Sequence, residues 1–250
     1  MNTVHFTAET SSNGVLERDF TVGEIPGVLW SPARTSEPAP TRTPLVLLGH
    51  GGGTHKRWPG MEGRARKLVL DGGFTVVTLD APGHGGRPKT ETDEREFAAL
   101  LAAREAGEPE GPIVARYNAD IARRAVPEWQ ATLDALLQLQ EFGPIGYYGI
   151  NMGTAIGVPL TAADPRITAA VFGQFWPETL VGTAQLITVP IEFVMQWDDE
   201  HIARQDAFAL FDAFASTEKT LHANAGKHKE LPRFEADSAV RFFVRHLTES

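Results

Sequence analysis

The feature that most constrains this chain is a turn with glycines two residues before and two residues after an asparagine, Gly149-Ile150-Asn151-Met152-Gly153. The turn follows the continuous apolar run 145–150 and precedes a stretch of helical character, 152–160. This spacing predicts a sharp strand-to-helix turn, because the central residue takes a strained backbone conformation and the glycines let strand and helix approach closely. Such a turn lifts the Asn151 side chain above the sheet and points the following N–H groups toward the same place.

Apolar runs and helical stretches alternate along the rest of the chain, which predicts βαβ units and a mostly parallel sheet. Strands are predicted at 15–22 and 27–31, which form an antiparallel edge, and at 45–48, 74–79, 145–150, 167–172, 189–195 and 221–223. Helices are predicted at 64–70, 152–160, 202–214 and 232–247, and a surface loop rich in Pro, Thr and Ser at 32–44. We therefore expect one α/β domain over residues 1–250, with helices flanking the sheet.

One segment, 87–140, is longer than a crossover needs and contains no predicted strand. It carries an alanine-rich helix, 97–105, a Gly/Pro break and a longer helical stretch, 113–139, which we expect to be interrupted at Pro127. Ligands of α/β proteins bind at the carboxyl ends of the strands, so the excess length predicts a helical lid over that edge. The alternative is surface decoration far from the site.

Glycine-rich motifs follow two further strands. Leu48-Gly49-His50-Gly51-Gly52-Gly53 can turn backbone N–H groups toward a substrate oxygen, as an oxyanion hole requires. The alternative is an ordinary strand-to-helix loop. In Asp80-Ala81-Pro82-Gly83-His84-Gly85-Gly86 the glycines indicate a tight turn, so we expect His84 to be structural.

An acid and a base occur in suitable places later in the chain. The acidic residues Asp198, Asp199 and Glu200 close the predicted strand 189–195, where a carboxylate can orient a histidine. Asp198 or Asp199 could instead cap the next helix. His228 lies in a polar loop between the last strand and the last helix, as a general base requires, although a loop histidine is usually only solvated.

Composition excludes several classes of protein. The formal net charge of -9 disfavours a nucleic-acid partner, and the absence of cysteine excludes disulfides and a thiolate nucleophile. Residues 1–14 lack the features of a signal peptide, and no apolar run is long enough to span a membrane, so a cytoplasmic protein is expected. No metal constellation, organic cofactor or membrane role is predicted.

From about Leu45 to the C-terminus the pattern resembles the α/β-hydrolase superfamily, in particular the dienelactone-hydrolase-like esterases, because the order elbow, acid, histidine matches. The resemblance implies a set of site residues. These are Asn151 at the nucleophile position, Asp199 as the acid with Asp198 as second choice, His228 as the base, and the N–H groups of Gly52 and Met152 as the oxyanion hole, with Gly51 as the alternative to Gly52.

The departure from that family is Asn151, because a carboxamide cannot form the acyl-enzyme of a serine hydrolase. Three hypotheses follow. In the first, a Ser→Asn change has inactivated a hydrolase acting on a carbonyl or ester compound. In the second, the asparagine is native, and His228 and Asp199 perform acid–base chemistry in a lyase, isomerase or cyclase. In the third, the protein only binds a ligand.

Aromatic side chains near these motifs favour a small, hydrophobic substrate. The pocket residues expected from sequence are His55, Trp58, Trp176 and Trp197. The alternative for each is ordinary core packing.

Overall fold

The computed structural model describes residues 3–33 and 42–248 and is built around one sheet, in which the described residues contribute nine strands. The strands are β1 Val4–Ser12, β2 Val15–Val22, β3 Ile25–Pro32, β4 Leu45–Gly49, β5 Thr75–Leu79, β6 Ile145–Gly149, β7 Ile167–Gly173, β8 Ile191–Gln196 and β9 Lys219–Asn224. The helices are α1 Pro59–Gly72, α2 Glu91–Ala106, α3 Gly111–Leu139, α4 Met152–Ala163, α5 Val181–Ala184, α6 Arg204–Ala213 and α7 Phe234–Leu247. Most of the loop predicted at 32–44 lies outside the described residues.

The sheet has the spatial order β1-β2-β3-β5-β4-β6-β7-β8-β9. The first three strands and β5 pair antiparallel, whereas β5, β4, β6, β7, β8 and β9 are parallel. A mostly parallel sheet flanked by helices confirms the predicted fold class. The predicted antiparallel edge is also confirmed, and β1 extends it.

Helices bury both faces of the sheet, which explains why its central strands are apolar throughout. On one face α1 and α7 pack through residues such as Leu68 and Phe243. On the other face α3, α4 and α6 pack through residues such as Trp129, Ile156 and Leu210. The parallel strands therefore end at one edge, where the loops after β4, β6, β7, β8 and β9 meet.

Two predictions of local structure were wrong. Strand β1 was not predicted, because its residues are almost all exposed and its apolar alternation, at Val4, Phe6 and Ala8, is short. The expected interruption at Pro127 does not occur, since α3 continues through it. Proline removes one backbone hydrogen bond, but buried Ile121 and Trp129 hold the helix against the core on both sides. No helix in the described ranges is long and apolar enough to cross a membrane.

Candidate active site

Asn151 stands at the tip of the turn between β6 and α4, with φ 64° and ψ -126°. Positive φ is costly for a residue with a side chain, so the surrounding packing must enforce it. A Cβ atom on Gly149 would lie 2.5 Å from the carbonyl oxygen of Gly153, and one on Gly153 would lie 2.8 Å from that of Gly49. The glycine spacing therefore has the steric cause that the sequence predicted.

Two residues that the sequence did not single out fix this turn. The buried Tyr147 hydroxyl donates a hydrogen bond to the Gly153 carbonyl at 2.7 Å, and burial raises the pKa of that hydroxyl. The Asn151 N–H donates to the Gly173 carbonyl of the neighbouring strand at 3.0 Å. The Thr154 hydroxyl accepts a hydrogen bond from the Gly173 N–H at 2.8 Å. These contacts tie the tip of the turn to β7.

The Asn151 side chain contacts His228. Asn151 Nδ2 lies 2.6 Å from His228 Nε2, and His228 Nδ1 lies 2.7 Å from Asp199 Oδ2. The chain of donors is consistent with the neutral tautomer in which Nδ1–H donates to Asp199 and Nε2 accepts from the Asn151 amide. The structure therefore brings the three predicted residues into one line, from residue 151 through the imidazole to the carboxylate.

Asp199, and not Asp198, meets the histidine. The side chain of Asp199 is 4% exposed, whereas that of Asp198 is 59% exposed and pairs with Arg204 at 3.1 Å. The other oxygen of Asp199 accepts hydrogen bonds from the N–H groups of His201 and Ile202 at 2.9 and 3.0 Å. One carboxylate thus both orients the imidazole and closes the turn before α6, two tasks that the sequence had divided between the two acids.

These hydrogen bonds keep Asp199 ionised. Burial favours the neutral acid, but the hydrogen bonds from His228 and from the two backbone N–H groups outweigh it and lower the pKa of Asp199. A lasting negative charge at this position stabilises the imidazolium that forms when His228 takes a proton.

The loop that carries His228 is held by side chains that sequence reasoning missed. Gln174, at φ 52°, donates from Nε2 to the His228 carbonyl at 2.6 Å. The Glu200 carboxylate accepts from the His228 N–H at 2.9 Å. The ring of His201 packs against that of His228 with 5.2 Å between centroids. The position of His228 is therefore fixed by contacts of its backbone as well as of its ring.

The glycine loop after β4 faces the same point. A Cβ atom on Gly51 would lie 3.8 Å from the Asn151 Cβ, and one on Gly52 would lie 4.0 Å from the Met152 Cβ. Within the described residues the N–H groups of Gly52 and Met152 have no hydrogen-bond acceptor. Met152 opens α4, where N–H groups lack an acceptor in the helix itself. Both predicted donors are thus free to bind a substrate oxygen.

His50, for which no role was predicted, holds this loop. His50 Nδ1 lies 2.9 Å from the Gly51 carbonyl oxygen, and His50 Nε2 accepts a hydrogen bond from the Ala81 N–H at 3.0 Å. Burial lowers the pKa of His50 to about 4, so the ring is neutral at pH 7, as the hydrogen bond that Nε2 accepts from the Ala81 N–H requires. The ring joins the glycine loop after β4 to the loop after β5.

A cavity of about 1060 Å³ opens beside Asn151 and His228. Trp58 and Trp176 line it. His55 and Trp197 do not, and this part of the prediction was wrong. Trp197 packs on α6, with Arg204 4.3 Å above its ring, and His55 lies edge-on to Trp58 with 5.9 Å between centroids.

The helices of the 87–140 segment form much of the cavity wall. Phe97 and Leu100 of α2 and Val114, Tyr117 and Ile121 of α3 line it. The charged lining is cationic although the chain has 23 basic and 32 acidic residues. Its charged residues are Arg64, Lys89, Arg104, Lys229 and Glu110. The one carboxylate pairs with Arg104 at 2.6 Å.

The sequence predicted no metal site, but the structure brings three possible metal ligands together away from the cavity. Glu192, His222 and Glu235 each offer a ligand atom within 4.8 Å of the others. The three residues come from β8, β9 and α7, so no spacing in the sequence reveals them.

Neither a protein-family model nor a curated protein matches the chain, but solved structures do. A PEG-bound cold-adapted esterase from an Arctic intertidal metagenomic library is 32% identical, with TM-score 0.76, over 96% of this chain and 97% of that one. Acetyl xylan esterase 1 from Thermoanaerobacterium is 15% identical, with TM-score 0.71, over 98% and 88%. A dienelactone hydrolase from Anabaena variabilis is 17% identical, with TM-score 0.62, over 96% and 99%. The last two are similar in fold alone, whereas the identity and coverage of the first show that this chain belongs to the α/β-hydrolase superfamily.

Proposed function

We propose that this chain is an esterase-type α/β hydrolase in which Asn151 occupies the nucleophile position, so that it binds carbonyl substrates without forming an acyl-enzyme. The observation that carries the proposal is the 2.6 Å contact between Asn151 Nδ2 and His228 Nε2 at the tip of the turn. A serine hydroxyl at that tip would donate to the same nitrogen and transfer its proton there. The carboxamide keeps the hydrogen bond but has no atom that attacks a carbonyl, because its nitrogen lone pair is delocalised.

The rest of the proposed machinery is complete. His228 acts as the base, Asp199 holds its tautomer and stabilises the imidazolium, and the N–H groups of Gly52 and Met152 bind the carbonyl oxygen. Removal of the nucleophile alone from such a site lowers kcat by roughly six orders of magnitude in a serine protease. Substrate binding does not need the nucleophile and is retained.

We infer the substrate class from the cavity. Its apolar wall, contributed by α2 and α3 acting as a lid, suits an acyl chain or a ring. Arg64, Lys89 and Lys229 line the cavity and have no carboxylate within 4.0 Å among the described residues. Arg64 lies over the Tyr148 ring at 5.9 Å from its centroid. These three cations favour an ester that carries an anionic group beside its apolar body.

The test is the Asn151→Ser variant, assayed with short p-nitrophenyl esters and with carboxylate-bearing esters of equal length. We expect hydrolysis at least about 10³-fold faster than in the unaltered chain. The matched control is Asn151→Ala, which also removes the carboxamide but supplies no nucleophile and should remain inactive. If a folded Asn151→Ser protein cleaves no ester of either kind, the proposal is wrong.

A second candidate rests on the intact pair of Asp199 and His228. This pair can still move a proton in the unaltered chain, with Asn151 and the oxyanion loop holding a carbonyl or an enolate, as a lyase, isomerase or cyclase requires. Under this hypothesis His228→Ala abolishes activity of the unaltered chain on its substrate, whereas Asn151→Ala only weakens it. Full activity of His228→Ala would refute it, and saturable binding without turnover would instead favour a ligand-binding protein.

A further inference from the structure

A second cluster of titratable side chains lies on the face of the sheet that α7 covers. Glu192 of β8 shares that face with Val194, and His222 of β9 pairs with Val194 across the strands. Glu235 comes from the first turn of α7. The three side chains, here called the α7 triad, thus come from three elements that meet beneath the loop carrying His228.

The carboxylates of the α7 triad have too few hydrogen-bond donors around them. His222 Nδ1 lies 2.8 Å from Glu235 Oε2, and His222 Nε2 lies 3.8 Å from Glu192 Oε2. Asn224 donates to Glu235 Oε1 at 2.8 Å, and Ser238 donates a long hydrogen bond of 3.4 Å to Glu192 Oε2. Glu192 Oε1 is buried without any partner among the described residues.

Because the carboxylates are buried, the missing hydrogen-bond donor costs free energy. The side chains of Glu192 and Glu235 are 5% and 3% exposed, and one imidazole faces both carboxylates. A buried carboxylate oxygen without a hydrogen-bond donor favours a bound cation.

We propose that the α7 triad binds a divalent transition-metal ion of the Zn²⁺ class. One imidazole and two carboxylates are ligands that Zn²⁺ accepts, whereas Ca²⁺ and Mg²⁺ prefer shells made only of oxygen. The Asn224 amide orients the Glu235 carboxylate from outside, as outer partners of metal ligands do. His222, whose side chain is 23% exposed, provides a route for entry.

The ion has a structural consequence for the catalytic loop. Residues 225–233, which include His228, connect β9 to α7, and the α7 triad joins those two elements. A bound ion fixes both ends of the loop without touching the reacting groups.

The test is calorimetric titration of the tag-free, chelator-treated chain with Zn²⁺, and separately with Mg²⁺. We expect one equivalent of Zn²⁺ and no tight uptake of Mg²⁺. Glu192→Gln and Glu235→Gln should each lower the affinity by more than the 10- to 100-fold typical of outer partners. Glu218→Gln is the matched control, because Glu218 also lies near a histidine, 3.7 Å from His246, but is 49% exposed.

Three outcomes overturn the proposal: no uptake of Zn²⁺ by the unaltered chain, unchanged uptake in both triad variants, or loss of uptake in His228→Ala. A second measurement decides the case if the triad variants fail to fold. Zn²⁺ should shift the imidazole NMR signals of His222 in the unaltered chain and leave those of His228 in place. The opposite pattern of shifts would place the ion at the active site and refute the assignment.

Discussion

The most quantitative prediction concerns His50, the buried ring behind the glycine loop that follows β4. Burial lowers the pKa of His50 from 6.5 to about 4, so the folded chain holds the neutral ring while the unfolded chain takes up a proton as the pH falls below 6.5. The stabilisation is therefore complete above the unfolded pKa and is lost as the pH falls toward the folded pKa. Proton linkage gives a loss of about 2 kcal/mol between pH 7 and pH 5, and about 3 kcal/mol once the pH is below 4.

The assay is urea unfolding at pH 7 and pH 5 of the unaltered chain and of His50→Gln. The glutamine amide can accept the Ala81 N–H but does not titrate, so the free energy of unfolding of the variant should fall by about 2 kcal/mol less over this range. Other groups contribute equally to both proteins and cancel, including Glu192, whose pKa burial raises to about 7. His5→Gln, at an exposed histidine, controls for loss of any imidazole. An identical pH dependence in His50→Gln and the unaltered chain would refute the reasoning.

Further expectations concern single side chains of the site. In the Asn151→Ser background, Asp199→Asn should lower kcat by at least about 10²-fold through the wrong tautomer of the base, while Asp198→Asn should change it less than about twofold; equal effects would contradict the assignment of the acid. Gly149→Ala should lower the free energy of unfolding by about 1–3 kcal/mol or more in thermal melts, because the new methyl meets backbone at 2.5 Å, and an unchanged melting temperature would contradict the steric account. In the same Asn151→Ser background, Arg64→Leu should raise KM for a carboxylate-bearing ester about tenfold and leave KM for a neutral ester of the same length unchanged; equal changes would show that its charge is not used.

The fold was predictable because its signal is local. Central strands buried on both faces must be apolar throughout, and the turn at Asn151 must place glycines where backbones touch. What failed depends on distant packing. Strand β1 lies at the edge of the sheet, and its alternation of Val4, Phe6 and Ala8 with polar residues is too short and too exposed to mark a strand. Pro127 is tolerated because α3 is held by the core on both sides.

The line of site residues was predictable from chain order, but their neighbours were not. The residue pattern alone left Asp198 and Asp199 open, and only the family resemblance favoured Asp199. Adjacent residues point to different sides, and the structure shows that Asp199 faces His228. The sequence likewise could not show which side Trp197 faces, and for that reason Trp197 was expected in the pocket. Residues such as Gln174 act through a backbone conformation and a contact far along the chain, and neither leaves a pattern in the sequence.

Labelling with a fluorophosphonate tests the central claim most directly, because this reagent bonds only to an activated nucleophile, and mass spectrometry locates the bond. We expect Asn151→Ser to carry one adduct, on the peptide containing residue 151. We expect no adduct there in the unaltered chain or in the double variant Asn151→Ser/His228→Ala. An adduct on another residue of the unaltered chain, or none on a folded Asn151→Ser protein, would contradict the account.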